Sequence, residues 1–274
     1  MPTQFEKGTT FRALHHRDHA FIIPNPWDIG TATVLAHLGF EALATTSAGY
    51  AFSIGRQDNK VGRDKMIEHV KEIVAATHLP VSADLENGFG DDPKTAAETI
   101  ALGAAAGLVG GSIEDSRANP DDPIYEMEFA VERVRAAAET AHSLPFPFTL
   151  TARAENYLHG RRDIGNTIKR LQAYQEAGAD CLYAPGITTR EDIAALVSSV
   201  DLPVNVLMGL PGVKLTHAEL SEIGVKRISV GSVLSRVATS AMIRAAEEMR
   251  DKGTFSFGND TISFRGISSF FKEP

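Results

Sequence analysis

A chain of 274 residues with 43% hydrophobic side chains can bury one large core, and its length also suits two average domains. The net charge of −8 excludes nucleic acid and anionic membrane as natural partners. Cys181 is the only cysteine, which excludes an intrachain disulfide and a cysteine metal cluster.

Met1 to Arg17 carries no signal-like apolar run, and no segment is apolar for the length of a membrane span. A cytoplasmic location is therefore expected, with no membrane partner. In chain order, the predicted elements alternate between strand and helix. Strand Phe21–Pro24 comes first; Asn25-Pro26-Trp27-Asp28 closes it, with Asp28 as N-cap of a helix starting near Ile29. Strand Ala42–Thr46, helix Asp64–Thr77, strand Val81–Glu86 and helix Pro93–Ala106 follow, the last opened by Asp92 as N-cap and Pro93 at the first helical position. Next come strand Leu108–Glu114, helix Ile124–His142, strand Phe148–Ala154, helix Gly165–Ala177, strand Cys181–Pro185 and helix Arg190–Ser199. Strands Val204–Met208 and Arg227–Val230 and helix Leu234–Arg250 complete the pattern.

Gly39, Gly107, Gly178 and Gly224 each follow a helical stretch, where glycine turns left-handed without a Cβ penalty. Eight such units with short loops imply a parallel sheet closed into a (β/α)8 barrel of the α/β class, with an open doubly wound sheet as the alternative. Residues 1–274 thus read as one barrel domain, with 253–274 as a C-terminal extension. Phe255, Phe257, Phe264, Phe270 and Phe271 are too many aromatics to leave in water, so this extension should pack on the barrel or on a neighbouring subunit.

Barrel enzymes build their sites at the C-terminal strand ends. Here those ends carry Thr45, Thr46 and Ser47, then Asp58 in the following loop, Asp84 and Glu86, Glu114 and Asp115, Arg153 and Glu155, and Asn205. Strand alternation puts Asp84 and Glu86 on one face, beside Glu114 from the next strand. Such acids repel unless a cation compensates them, and a hard divalent ion such as Mg²⁺ suits an all-oxygen set. The alternative is that they are solvated loop or capping residues. Smaller signals read as structural: His15, His16 and His19 as surface, His159 as a solvated loop residue, Cys181 as a buried hydrophobe. Tyr50 and Trp27 suit either pocket or core. No G-x-S-x-G, Walker A or G-x-G-x-x-G sequence is present, against serine hydrolase, P-loop and dinucleotide-binding readings.

Asp84-Leu85-Glu86-Asn87-Gly88-Phe89-Gly90, then Gly111-Ser112-Ile113-Glu114-Asp115 and Thr151-Ala152-Arg153, resemble the isocitrate lyase/phosphoenolpyruvate mutase superfamily. Thr45-Thr46-Ser47-Ala48-Gly49, the Gly55-Arg56-Gln57-Asp58 turn and Pro203-Val204-Asn205-Val206 extend the likeness, which runs from about Asn25 to Arg250. The resemblance implies a Mg²⁺ site, with Mn²⁺ as a substitute, in which Asp84 is the inner ligand and Asp58, Glu86 and Glu114 act through waters. It further implies that Thr45, Thr46, Ser47, Arg153 and Asn205 hold the substrate, and that Arg153, Glu114 and Asp58 take part in catalysis. The substrate implied is a small 2-oxo or 2-hydroxy carboxylate, cleaved to a pyruvate-type enolate that the ion and Arg153 stabilise. A homodimer or homotetramer exchanging C-terminal helices is implied as well.

Two departures narrow the chemistry. The family usually carries aspartate where this chain has Glu86. The loop Ser116–Pro123 has neither the cysteine nor the histidine of lyases that cleave isocitrate or methylisocitrate, and no lysine lies between Lys94 and Lys169 to match the phosphonate-processing members. The expectation is a Mg²⁺-dependent carbon–carbon lyase, with decarboxylation of oxaloacetate or a related β-keto acid foremost and retro-aldol cleavage next. A phosphonopyruvate hydrolase or mutase, and a non-catalytic 2-oxo acid binding protein, are the alternatives.

Overall fold

In the computed structural model, which describes residues 1–117 and 119–271, every predicted strand is present, shortened at one or both ends. They are β1 (Phe21–Ile23), β2 (Leu43–Ala44), β3 (Val81–Asp84), β4 (Gly110–Glu114), β5 (Thr149–Arg153), β6 (Cys181–Tyr183), β7 (Val204–Leu207) and β8 (Arg227–Ser229). All seven pairings are parallel, in the order β1-β8-β7-β6-β5-β4-β3-β2. Ala44 N donates to Pro24 O at 3.1 Å, bringing the two ends of the sheet together. The fold is the (β/α)8 barrel, and an open doubly wound sheet is ruled out because β1 lies beside β8.

The helices are α1 (Gln4–Leu14), α2 (Ile29–His37), α3 (Ser47–Ser53), α4 (Arg63–Ala75), α5 (Pro93–Ala105), α6 (Met127–His142), α7 (Ile164–Glu176), α8 (Arg190–Ser198), α9 (His217–Ile223), α10 (Val233–Lys252) and α11 (Phe264–Ser268). Asp28 caps α2 by accepting from Thr31 N, and Asp92 caps α5 by accepting from Lys94 N, as their sequence positions require. Gly107, Gly178 and Gly224 have φ of 103°, 102° and 100°. Helix α6 begins three residues later than predicted, because Ile124 instead forms an antiparallel bridge with Ser116 across the loop after β4. No helix among the described residues is long and apolar enough to cross a membrane.

Helix α1 was not foreseen, since Gly8-Thr9-Thr10 lowers its intrinsic propensity. A capping box between Thr3 and Glu6 starts it, and packing sustains it. It closes the N-terminal end of the barrel: Phe11 stacks edge-on with Phe21, and a Cβ on Gly110 would meet Phe11 at 2.7 Å. This placement corrects the surface reading of His15, which is buried between Phe11 and Phe21, whereas His16 and His19 are exposed. Burial lowers the His15 pKa to about 3, and that of His69 on α4 to about 4. His69 stacks on Tyr50 at 3.8 Å, which makes Tyr50 a packing residue, and its Nε2 has no hydrogen-bond partner.

These two histidines fold neutral and unfold with ordinary values near 6.5. Their contribution is complete above that pH and is lost as the pH falls toward each folded pKa. Buried carboxyls raised by the fold act in the opposite sense, so a variant isolates the histidine contribution. Denaturant titrations should show the stability advantage of the native chain over His69→Phe shrinking by about 2–3 kcal/mol between pH 7 and 4.5. An advantage independent of pH would contradict a buried neutral His69.

The C-terminal extension divides. Phe270 meets His37 of α2 at 5.3 Å, and Phe271 lies beside Gly30, while Phe255 and Phe264 are 70% and 88% exposed. Along α10 only Ser235 is buried, and Val237, Met242, Ile243 and Met249 face outward. Residues 272–274, part of the predicted extension, lie outside the described residues, as does Ala118 of the loop after β4.

Candidate active site

The C-terminal strand ends surround an open cavity of about 1220 Å³. At its centre stands Arg153, the last residue of β5. Its Nη1 donates to Asp84 Oδ1 at 2.7 Å, Nη2 pairs with Glu114 Oε2 at 2.9 Å, and Nε donates to Glu155 Oε1 at 3.0 Å. The guanidinium also lies 5.2 Å from the centre of the Tyr183 ring. Burial opposes its charge, but Glu114, Glu155 and Asp84 outweigh burial and hold it protonated. Register explains the convergence: Glu114 pairs with Arg153, and Arg153 with Tyr183, across neighbouring strands.

Asp84 ends β3 and divides its oxygens. Oδ1 meets Arg153, while Oδ2 accepts from Ser47 Oγ at 2.8 Å and Ser47 N at 3.3 Å. Ser47 Oγ also reaches Asp58 Oδ1 at 3.3 Å, tying the loop after α3 to the same group. Burial, and then the negative charge of Asp84, raise the Asp58 pKa. Thr46 caps α3 by accepting from Gly49 N, and Thr45 Oγ1 accepts from Asp84 N at 3.1 Å. Thr45 and Thr46 therefore brace the rim through their side chains, and Ser47 presents both its N–H and its hydroxyl to it.

Glu86 reaches the cluster by a route other than alternation. Strand β3 ends at Asp84, and Glu86 adopts φ 50°, in a left-handed turn that includes Gly88 and Phe89 at 81° and 63°. A non-glycine residue there costs on the order of 1 kcal/mol, so packing must hold it. The holding group is Arg133 of α6, which donates to the carbonyls of Asn87, Gly90 and Asp91 and lies over the Tyr125 ring at 4.6 Å. Glu86 Oε1 is buried without a hydrogen-bond partner. Burial first, then Asp84 and Glu114, push its pKa up to about 8. Glu114, which accepts from Ser116 Oγ, is raised chiefly by burial. Among the described residues no three acids form a metal-coordinating group, because Asp84 and Glu114 meet around Arg153.

Two predicted residues are hydrogen-bonded away from Arg153. Asp115 points away from the mouth, accepting from Tyr174 Oη at 2.6 Å, Glu155 N at 2.8 Å and Arg170 Nη1 at 3.1 Å. Asn205 is buried in the barrel with both amide ends engaged: Nδ2 donates to Ser229 Oγ and Oδ1 accepts from Arg227 Nε, each at 2.9 Å. Conversely, Tyr183, which the sequence reading did not single out, belongs to the Arg153 shell, as does Glu155, which that reading placed at the strand end without a role. Glu155 lies two residues beyond Arg153, and Tyr183 ends β6, so strand-end position was the available signal for both. Burial raises the Glu155 pKa to about 8 against the pull of Arg153. In the loop after β4, Arg117 donates to Asp122 O at 2.7 Å, pairs with the Asp122 carboxylate and covers the Tyr125 ring.

Comparison with known proteins identifies the family and the fold. The phosphoenolpyruvate phosphomutase family model matches residues 11–250. A crystal structure of a lyase/mutase candidate from Burkholderia cenocepacia J2315 superposes with a TM-score of 0.96 at 60% identity, covering 99% of this chain and 97% of the other. An uncharacterized protein of Mycobacterium tuberculosis is 32% identical over 243 residues, 88% of this chain and 89% of its own. The 2-methylisocitrate lyase of Escherichia coli is 28% identical over 94% of this chain and 89% of its own, and the oxaloacetate decarboxylase of Chromohalobacter salexigens 25% identical over 91% and 88%. Matched by the family model from within α1 to within the last turn of α10, the chain belongs to the phosphoenolpyruvate phosphomutase family, within a superfamily of carbon–carbon lyases and mutases.

Proposed function

We propose that the protein is a Mg²⁺-dependent carbon–carbon lyase that decarboxylates oxaloacetate or a related small β-keto acid. The observation that carries this reading is the imbalance at the mouth. At the rim Asp58, Asp84, Glu86, Glu114 and Glu155 gather around the Arg153 guanidinium, with Arg227 lying deeper in the cavity, and Glu86 Oε1 is buried with nothing to bind. Buried acids in excess of their counter-charges call for a cation, and an all-oxygen set suits Mg²⁺, with Mn²⁺ as a substitute. Asp84, Glu86, Glu114 and Asp58 would hold it once Arg153 gives up Asp84 and Glu114; bound there, the ion would supply a Lewis acid that polarises the substrate's 2-oxo group.

The chain's own groups do the rest. Ser47 N–H and Oγ, at the start of α3, orient a carboxylate on the rim. Breaking the C3–C4 bond of oxaloacetate releases CO2 and leaves its electron pair in a pyruvate-type enolate. Arg153, released from Asp84 and Glu114 when the ion takes them and still held by Glu155 and Tyr183, keeps a positive charge beside that developing anion. Protonation at C3 then gives pyruvate. Decarboxylation is favoured over methylisocitrate cleavage because the loop after β4 lacks cysteine and histidine, and its one arginine is tied to Asp122.

The test is pyruvate release from oxaloacetate by the purified chain in Mg²⁺ and in EDTA. Equal rates at the uncatalysed background would overturn the reading. So would a crystal grown in Mg²⁺ in which Arg153 still bridges Asp84 and Glu114 while Glu86 stays unliganded.

The outward face of α10, with Met242 and Ile243 at 63% and 46% exposure, is proposed to pack on a second copy, giving a homodimer or homotetramer. Met242→Glu/Ile243→Glu should shift the light-scattering mass to the monomer with the circular dichroism unchanged. A native chain that is already monomeric at micromolar concentration would contradict this packing.

A further inference from the structure

The cavity does not end at the acids. It is lined at the mouth by Glu114 and Arg153, and deeper by Asn205 and Arg227. Its walls on β2, β3 and β4 carry the small side chains of Ala44, Ser82 and Ser112, which leaves the barrel hollow. Arg227 opens β8, at the closed end of the barrel, and is 5% exposed.

The partners of this buried guanidinium are neutral. Nε donates to Asn205 Oδ1 at 2.9 Å, and Nη1 lies 3.5 Å from His15 Nε2. His15 Nδ1 lies 2.8 Å from Phe11 O and donates to it; burial beside Arg227 keeps the ring uncharged, which leaves Nε2 a lone pair facing Nη1. Among the described residues no carboxylate pairs with Arg227, and its Nη2 meets no acceptor. Arg133 also lacks a carboxylate, but three main-chain carbonyls meet its terminal nitrogens. Thr151, fully buried in the same interior, lies against the Cys181 thiol. Thr151 stands two residues before Arg153 and so shares its inward face. Its strand neighbour, Cys181, lies within the electrostatic reach of Arg227.

A buried charge without a counter-charge is costly by several kcal/mol, and such groups are normally paired. We infer that the barrel floor is a binding site for a compact monoanion of halide or carboxylate size, held by Arg227. Two sources offer that chemistry: a free inorganic anion, or the distal carboxylate of a bound dicarboxylate. The site does not depend on the lyase reading, since occupation by a halide needs no turnover.

Crystals of the full chain soaked in sodium bromide, and separately in malonate, distinguish the sources. An anomalous peak against Arg227 identifies a free-ion site, and carboxylate density there without bromide identifies the substrate's own group. In solution, exchanging gluconate for chloride from 10 to 500 mM at constant ionic strength should raise Tm by about 3–4 °C if the free ion binds with a Kd of about 10 mM. Arg227→Gln should lose that response. If the variant fails to fold, the native titration and the two soaks still decide. Water alone at Arg227 in both soaks would overturn the inference.

Discussion

Asp84→Ala is expected to lower Mg²⁺-dependent kcat/KM for oxaloacetate by about 10³-fold or more, the scale associated with losing a metal anchor or a pre-organised electrostatic group. The size follows from what the carboxylate touches. Asp84 is the one residue that links Arg153, Ser47 N and Ser47 Oγ, so its loss frees the guanidinium and the rim together. Calorimetric titration with Mg²⁺ should lose its binding heat in this variant. Glu86→Asp should retain Mg²⁺ binding, since it keeps the carboxylate and shortens the reach by one methylene. Undiminished pyruvate formation by Asp84→Ala would remove the metal site from the reaction.

The second large effect is on stability. Arg153→Met leaves Asp84, Glu114 and Glu155 around an uncharged side chain, and breaking a buried ion pair in this way costs about 3–5 kcal/mol. Relief comes from protonating Glu114 and Glu155, whose folded pKa values, already raised by burial, then rise further. A carboxyl with a raised folded pKa contributes stability at low pH that is lost as pH rises through that value, so the deficit should be larger at pH 8 than at pH 5. Mg²⁺ should recover part of it, because an ion that binds only the folded chain adds stability with its concentration. Arg153→Lys should fall between the two, keeping the charge without the planar fork that meets three carboxylates. Urea titrations at the two pH values, with and without Mg²⁺, provide the measurement. A deficit that neither pH nor Mg²⁺ changes would mean the acids are not in electrostatic contact.

Much of this was legible in the residues. Periodicity, glycine stops and the Asp28 and Asp92 caps are local signals, and they located the strands and helices to within a few residues. The placing of acids at strand ends followed from the same alternation, and it brought Asp84, Glu114 and Arg153 to one rim as expected. Local rules failed where contacts distant in sequence decide. Helix α1 exists because it seals the barrel, and His15 is buried for that reason. Glu86 faces the cluster because Arg133, 47 positions away, holds a left-handed turn, not because strand alternation continues.

What the sequence by itself determined is the barrel and the set of acids at its mouth, since hydrophobic period, turn chemistry and strand-end position are written residue by residue. What only the tertiary structure decided is which acid meets which base. Asp115 is turned to Arg170 and Tyr174, Asn205 is turned to Arg227, and Glu155 and Tyr183 are brought to Arg153. Those choices depend on strand register and on side chains reaching across the barrel, which sequence spacing along one chain does not specify.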